Sequence, residues 1–154
     1  MSRKGWGIAW ACAALFAATW GAAEDKVPAA PAGADDDDIR EAVFRYQISK
    51  NETEVYFLQI DGADPSTEFM KRFEGHDPPV KPKSACVAEG AAQDKETKKH
   101  GAILSVGKVT RAADGATVQG SVYWAPLAAV GGTYTLVRKD GKWVVTGFKM
   151  EWIS

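Results

Sequence analysis

The sequence predicts a single α+β domain. Two N-terminal helices are expected to pack on one face of a curved, mainly antiparallel sheet, in the order α-β-α-β-β-β-β-β. Three observations lead there. Helical periodicity is confined to the stretch between Ile39 and Gly75. From Ser84 onward the chain is a succession of β-rich runs broken by turn residues. The last two runs flank Asp140-Gly141, the signature of a two-residue hairpin.

Ahead of this domain, residues 1–23 read as a secretory signal peptide. Arg3 and Lys4 precede an uncharged apolar run, and Gly21 and Ala23 stand three and one residues before a cleavage point at Glu24. Removing 23 of the 154 residues leaves 131, enough for one domain with a real core. The mature chain then sets 17 Lys and Arg against 20 Asp and Glu, and this weakly acidic balance argues against a nucleic-acid partner, which needs a basic face. No later stretch approaches spanning length, so no membrane association of the mature form is expected, and its location is periplasmic or secreted. Cys12 leaves with the leader. Cys86 alone cannot form an internal bridge, and in S-A-C-V-A it reads as a small apolar packing residue.

Residues 24–34, E-D-K-V-P-A-A-P-A-G-A, are a Pro/Ala-rich linker without apolar periodicity, and the domain occupies residues 35–154. The first helix is expected over residues 39–49, with Asp38 and Glu41 as a capping box and the acidic run solvated near the positive end of the dipole. Ile39, Ala42, Val43 and Tyr46 share one face, extended by Phe44 and Ile48. Four aspartates suggest calcium, but an EF-hand loop needs a glutamate eleven residues after its first acid, and Tyr46, Gln47, Ile48 and Ser49 stand there instead. T-E-V-Y-F-L-Q-I-D-G is a well-covered strand ending at Asp61-Gly62. A second helix opens with Asp64 as cap and Pro65 at its first position, and stops at Gly75. The stretch F-E-G-H-D-P-P-V-K-P-K-S-A-C then reads as a connector stiffened by its prolines.

S-A-C-V-A-E is a short strand and A-A-Q-D-K-E-T-K-K-H-G a polar loop. A-I-L-S-V-G-K-V-T-R turns at Ala113-Asp114-Gly115, and A-T-V-Q-G-S-V-Y-W-A returns with Val118, Val122 and Trp124 on one face. In the last hairpin the Asp140-Gly141 turn sets Val137 opposite Val144 and Leu136 opposite Val145.

That element order, closing on Y-T-L-V-R-K-D-G-K-W-V-V, resembles the cone-shaped superfamily of nuclear transport factor 2-like and ketosteroid-isomerase-like proteins. E-A-V-F-R-Y-Q, F-E-G-H-D-P-P-V-K and K-W-V-V-T-G-F-K-M-E-W-I-S resemble, more closely, a group of small exported bacterial proteins, a likeness that carries no activity with it. The superfamily resemblance implies a pocket between curved sheet and helices and dimerisation through the sheet, in a set that includes enzymes and pure binders. The strand between the two helices departs from the usual cone and leaves a cystatin-like arrangement open.

With calcium set aside, His76, Asp77, Cys86 and His100 are the only plausible metal set, and they lack the paired ligand spacing of a transition-metal site, so no metal or other cofactor is expected. A Cys86/His76 nucleophilic pair needs a third group to orient the imidazole, and Asp77, adjacent in sequence, points elsewhere unless the turn bends back; no nucleophile elbow or phosphate-binding glycine loop occurs, so no catalytic residue is assigned. Tyr46, Tyr56, Tyr123 and Trp124, aromatics with a polar handle, and His76 of the connector are the expected ligand-binding residues. Tyr123 and Trp124 point to opposite sheet faces, so at most one of them lines a cavity. The expected function is a non-catalytic exported binding module for a small apolar ligand or a protein partner, acting through the sheet face that the helices leave uncovered. The alternative is a cofactor-independent enzyme of the ketosteroid-isomerase-like type, with an acid or base in an apolar cone pocket and a strongly shifted pKa.

Overall fold

The computed structural model describes residues 32–154. The signal-peptide reading and the linker up to residue 31 lie outside the described residues. Helix α1 spans Ala32–Lys50 and so takes in both the end of the expected linker and the whole acidic run. Asp38 therefore lies inside the helix rather than at its cap. The aspartates are also not simply solvated, because each meets an arginine: Asp35 and Asp36 meet Arg111, Asp37 meets Arg40 and Asp38 meets Arg72. Negative charge in the first turns suits the helix dipole, and the arginines tie those turns to the rest of the domain. Asp35, Ile39, Val43 and Gln47, spaced by four, form the buried row of α1, with Phe44 beside them.

Strand β1 (Val55–Ile60) ends where Asp61 and Gly62 both take positive φ. The second predicted helix shrinks to α2, a single turn over Thr67–Lys71. Its cap is Ser66, whose Oγ accepts the Phe69 N–H at 3.1 Å, while Asp64 accepts the Ser84 N–H at 2.8 Å. The expectation of two helices packed on the sheet is thus corrected to one. A segment bracketed by Pro65 and Gly75 is too short to propagate a helix on its own. The turn is held by its aromatics, since Phe69 and Phe73 meet Phe44 edge-to-face at 5.9 and 6.3 Å.

Part of the predicted connector is also a strand: β2 (Val80–Pro82) runs parallel to β1. Proline is tolerated there because β2 is the sheet edge. β3 (Cys86–Val87) and β4 (Gln93–Asp94), the latter inside the expected polar loop, pair into a separate two-stranded sheet. β5 (Gly101–Ala112), β6 (Gly115–Ala125), β7 (Ala128–Lys139) and β8 (Lys142–Ile153) form an antiparallel meander. The main sheet has six strands in the order β2-β1-β5-β6-β7-β8, with β1 parallel to both neighbours. The α+β class and the mainly antiparallel sheet are as the sequence predicts.

The last hairpin has the predicted register, Leu136 opposite Val145 and Val137 opposite Val144. Gly141 closes it at φ 76 with nothing near its missing side chain. Gly141→Ala is accordingly a test of backbone strain alone. It is expected to cost about 1–2 kcal/mol and to lower the melting temperature by roughly 4 °C per kcal/mol, measured by thermal unfolding.

α1 packs against β5, β6 and β8 and covers one face of the sheet. Beneath it lies the main core, which includes Phe44, Leu58, Leu104, Val118, Val122 and Leu136. On the opposite face Val55, Phe57 and Ile103 form a second cluster with Cys86 and Ala92, covered by β3–β4. The Cys86 thiol is buried there, and desolvation pushes its pKa up. Asp94 anchors the small sheet. Burial drives its carboxyl upward, but the Lys81 ammonium at 2.7 Å and the Glu96 and Thr97 N–H groups outweigh that, and its pKa is lowered. No described helix is long and apolar enough to cross a membrane.

Candidate binding surface: the open face of the sheet

Of the five residues expected to bind a ligand, the structure brings two together. Tyr56 and His76 meet edge-to-face at 6.2 Å. Tyr56 is buried, its hydroxyl donates to Asn51 O, and burial raises its pKa. His76 places Nδ1 2.7 Å from Pro78 O, so that nitrogen donates to the carbonyl. His76 lines an open groove of about 450 Å³ together with Met70, Phe73, Pro79 and Val80.

The other three stand apart. Tyr46 meets Tyr134 edge-to-face at 5.9 Å, with the Lys50 ammonium 5.6 Å from its ring centre. Trp124 packs against the helix-side core. Tyr123 packs against the second cluster on the other face, and its hydroxyl donates to Gly90 O at 2.8 Å. The five therefore do not line one cavity. Among the described residues no three of His, Cys, Asp and Glu come together as a metal set.

Beyond the small β3–β4 sheet, the face opposite α1 is open. Strand register assigns its residues: Ser105 pairs with Ser121, Thr117 with Thr135, and Gln119 with Thr133, which in turn faces Lys149. The surface is thus a row of hydroxyls and an amide. A shallow groove of about 240 Å³ crosses it, floored by Ser105, Gly107, Gln119 and Ser121, with Trp152 and Glu151 on one side and Asp61 on the other. Trp152 is 47% exposed. Its indole lies across Gly131, where an added Cβ would sit 2.3 to 2.6 Å from three ring atoms. The Asp61 carboxylate accepts from Arg40 at 3.2 Å, and Glu151 accepts from the Thr133 hydroxyl at 2.8 Å.

Sequence reasoning missed Trp152. The pairing shifts between Gly131 and Gly132, so Glu151 and Trp152 do not follow simple alternation along β8. The adjacent Gly131-Gly132 was the available signal, since glycine inside a strand marks a bulge or a close approach. No family model, curated protein or solved structure matches the chain.

Proposed function

We propose that this protein is a small exported binding module without catalytic chemistry, and that it acts through the open face of its sheet. The observation that carries this reading is the exposed Trp152 at the rim of a groove floored by small polar residues. An isomerase-like site would need an acid or base held near neutrality in an apolar cavity. The described carboxylates that depart from their ordinary pKa, namely Asp35, Asp64, Glu68 and Asp94, are all lowered and so held charged. The cone-like form belongs to the same proposal: α1 along one face of a sheet whose pairing shifts register between β5 and β6, β6 and β7, and β7 and β8 supports it, since a bulge bends the strand that carries it.

Native mass spectrometry of the protein purified from an exporting host, followed by hydrogen exchange, tests this reading. A bound small molecule or second chain is expected, with slowed exchange in β8 and at the Asp61-Gly62 turn. The central strands are already hydrogen-bonded and would report little. Gln119→Arg with Thr133→Arg is expected to remove the bound species while leaving the melting temperature unchanged. A protein that stays bare, or a bound species that survives both substitutions, overturns the proposal.

A further inference from the structure

We infer that the groove beside Trp152 takes a neutral polyhydroxylated ring, one unit of a saccharide chain; this rests on the open-face reading above. The indole lies against bare backbone at Gly131 and is 47% exposed, so the rest of its surface is available as an apolar platform. Beside it, Ser105, Ser121 and Gln119 supply hydroxyl and amide groups, and Glu151, held by the Thr133 hydroxyl, supplies a carboxylate at the rim. A sugar ring has this pairing of surfaces: C–H groups that pack on an aromatic face, and hydroxyls that both donate and accept.

Charge and desolvation separate this ligand from its competitors. Asp61 is already paired with Arg40, and Lys149 lies opposite Thr133, the residue that binds Glu151. With these charges largely balanced, and Lys108 lining the adjoining groove, neither a cation nor an anion would meet a strong net field. An apolar ligand would strip water from the serines and Gln119 without replacing their hydrogen bonds, which is penalised. A neutral ring with its own hydroxyls replaces them. The groove holds about 240 Å³ and is open to solvent, which suits one ring of a longer chain rather than an engulfed small molecule.

The test is a titration of the isotope-labelled protein with cellopentaose, chitopentaose and maltopentaose to about 10 mM, with benzyltrimethylammonium as the cationic control. At least one sugar is expected to shift the Trp152 indole N–H and the Gln119 side-chain amide, with a dissociation constant of about 1 mM or tighter. Trp152→Ala should weaken that binding about tenfold or more, while Trp152→Phe, which keeps an aromatic platform, stays within about threefold of the parent. Tighter binding of the ammonium ion, silence with all three sugars, or sugar binding indifferent to Trp152→Ala overturns the inference. If the sugars are silent but Gln119→Arg with Thr133→Arg still strips the host-derived species, the ligand class fails and the open-face reading stands. If a sugar binds while Trp152 and Gln119 stay unmoved, both fail.

Discussion

Phe44→Ala is expected to lower the unfolding free energy by about 3–5 kcal/mol, the range for deleting a buried aromatic ring. Phe44 is fully buried on α1, and its ring meets Phe69 and Phe73 edge-to-face. These contacts join α1 to the single turn of α2, which has little helical stability of its own. Truncation therefore removes transfer free energy, opens a cavity, and frees the segment that leads into β2. A domain of this size carries about 5–15 kcal/mol in total, so the loss is a large fraction of it. Urea unfolding should show a much lower midpoint with an unchanged slope. A loss under about 1 kcal/mol would mean that the three phenylalanines are not packed as the structure has them.

The second large effect is expected from Asp35→Asn. Asp35 is 8% exposed and receives the Trp143 indole N–H at 2.7 Å, with Arg111 bonded to it and Arg138 Nη2 at 3.7 Å. One carboxylate thus joins the start of α1 to β5, β7 and β8. The indole hydrogen bond comes first among the causes that lower its pKa; burial opposes them, and the two guanidiniums add to the lowering. Asparagine can still accept from Trp143 but leaves two guanidiniums facing a neutral amide. Arg111 is partly exposed, so solvent screens much of the charge attraction, and the expected cost is about 1.5–3 kcal/mol.

The pH dependence follows from the same site. Because the folded-state pKa of Asp35 lies below its unfolded value, its contribution is complete above roughly pH 5 and is lost as pH falls through the folded pKa. The stability gap between the parent protein and Asp35→Asn should therefore close on acidification from about pH 5 to pH 2. Guanidinium unfolding at a series of pH values measures it, and a gap that stays constant down to pH 2 would show that the charge contributes nothing.

Much of the fold was legible where a local rule decides the outcome. Asp140-Gly141 between two β-rich runs specified both the turn and its register, because a two-residue loop leaves no freedom in pairing. The main helix was legible from the spacing of Ile39, Val43 and Phe44, but its start was not. Four aspartates look like a solvated cap until Arg40, Arg72 and Arg111 are seen beside them, and two of those arginines are far away in sequence. Gln47 was unreadable for a similar reason. It is buried where Gly120 leaves room for it and donates to the Tyr134 hydroxyl at 3.2 Å. The expected ligand-binding aromatics rest on residue type, and type does not say which face of which element meets which other. Tyr56 and His76 come together, whereas Tyr46, Tyr123 and Trp124 join three different environments.

Although Leu127–Gly132, which reads as a connection, lies almost wholly inside β7, local rules in the chain specify the α+β class, the turn between β5 and β6, and the closing hairpin with its partners across the turn. These depend on periodicity and turn chemistry within a few neighbouring residues. Long-range packing sets the rest: α1 covers the sheet, a fragment of the Pro-rich connector becomes its edge strand, and β3–β4 covers the Val55, Phe57 and Ile103 part of the other face. Packing also lays Trp152 on Gly131 beside the polar groove, because a register shift displaces residues from simple alternation and the groove is lined from several strands. Contacts made after long loop closures leave no periodic trace in the chain, and both the ion pairs of α1 and the open face are contacts of that kind.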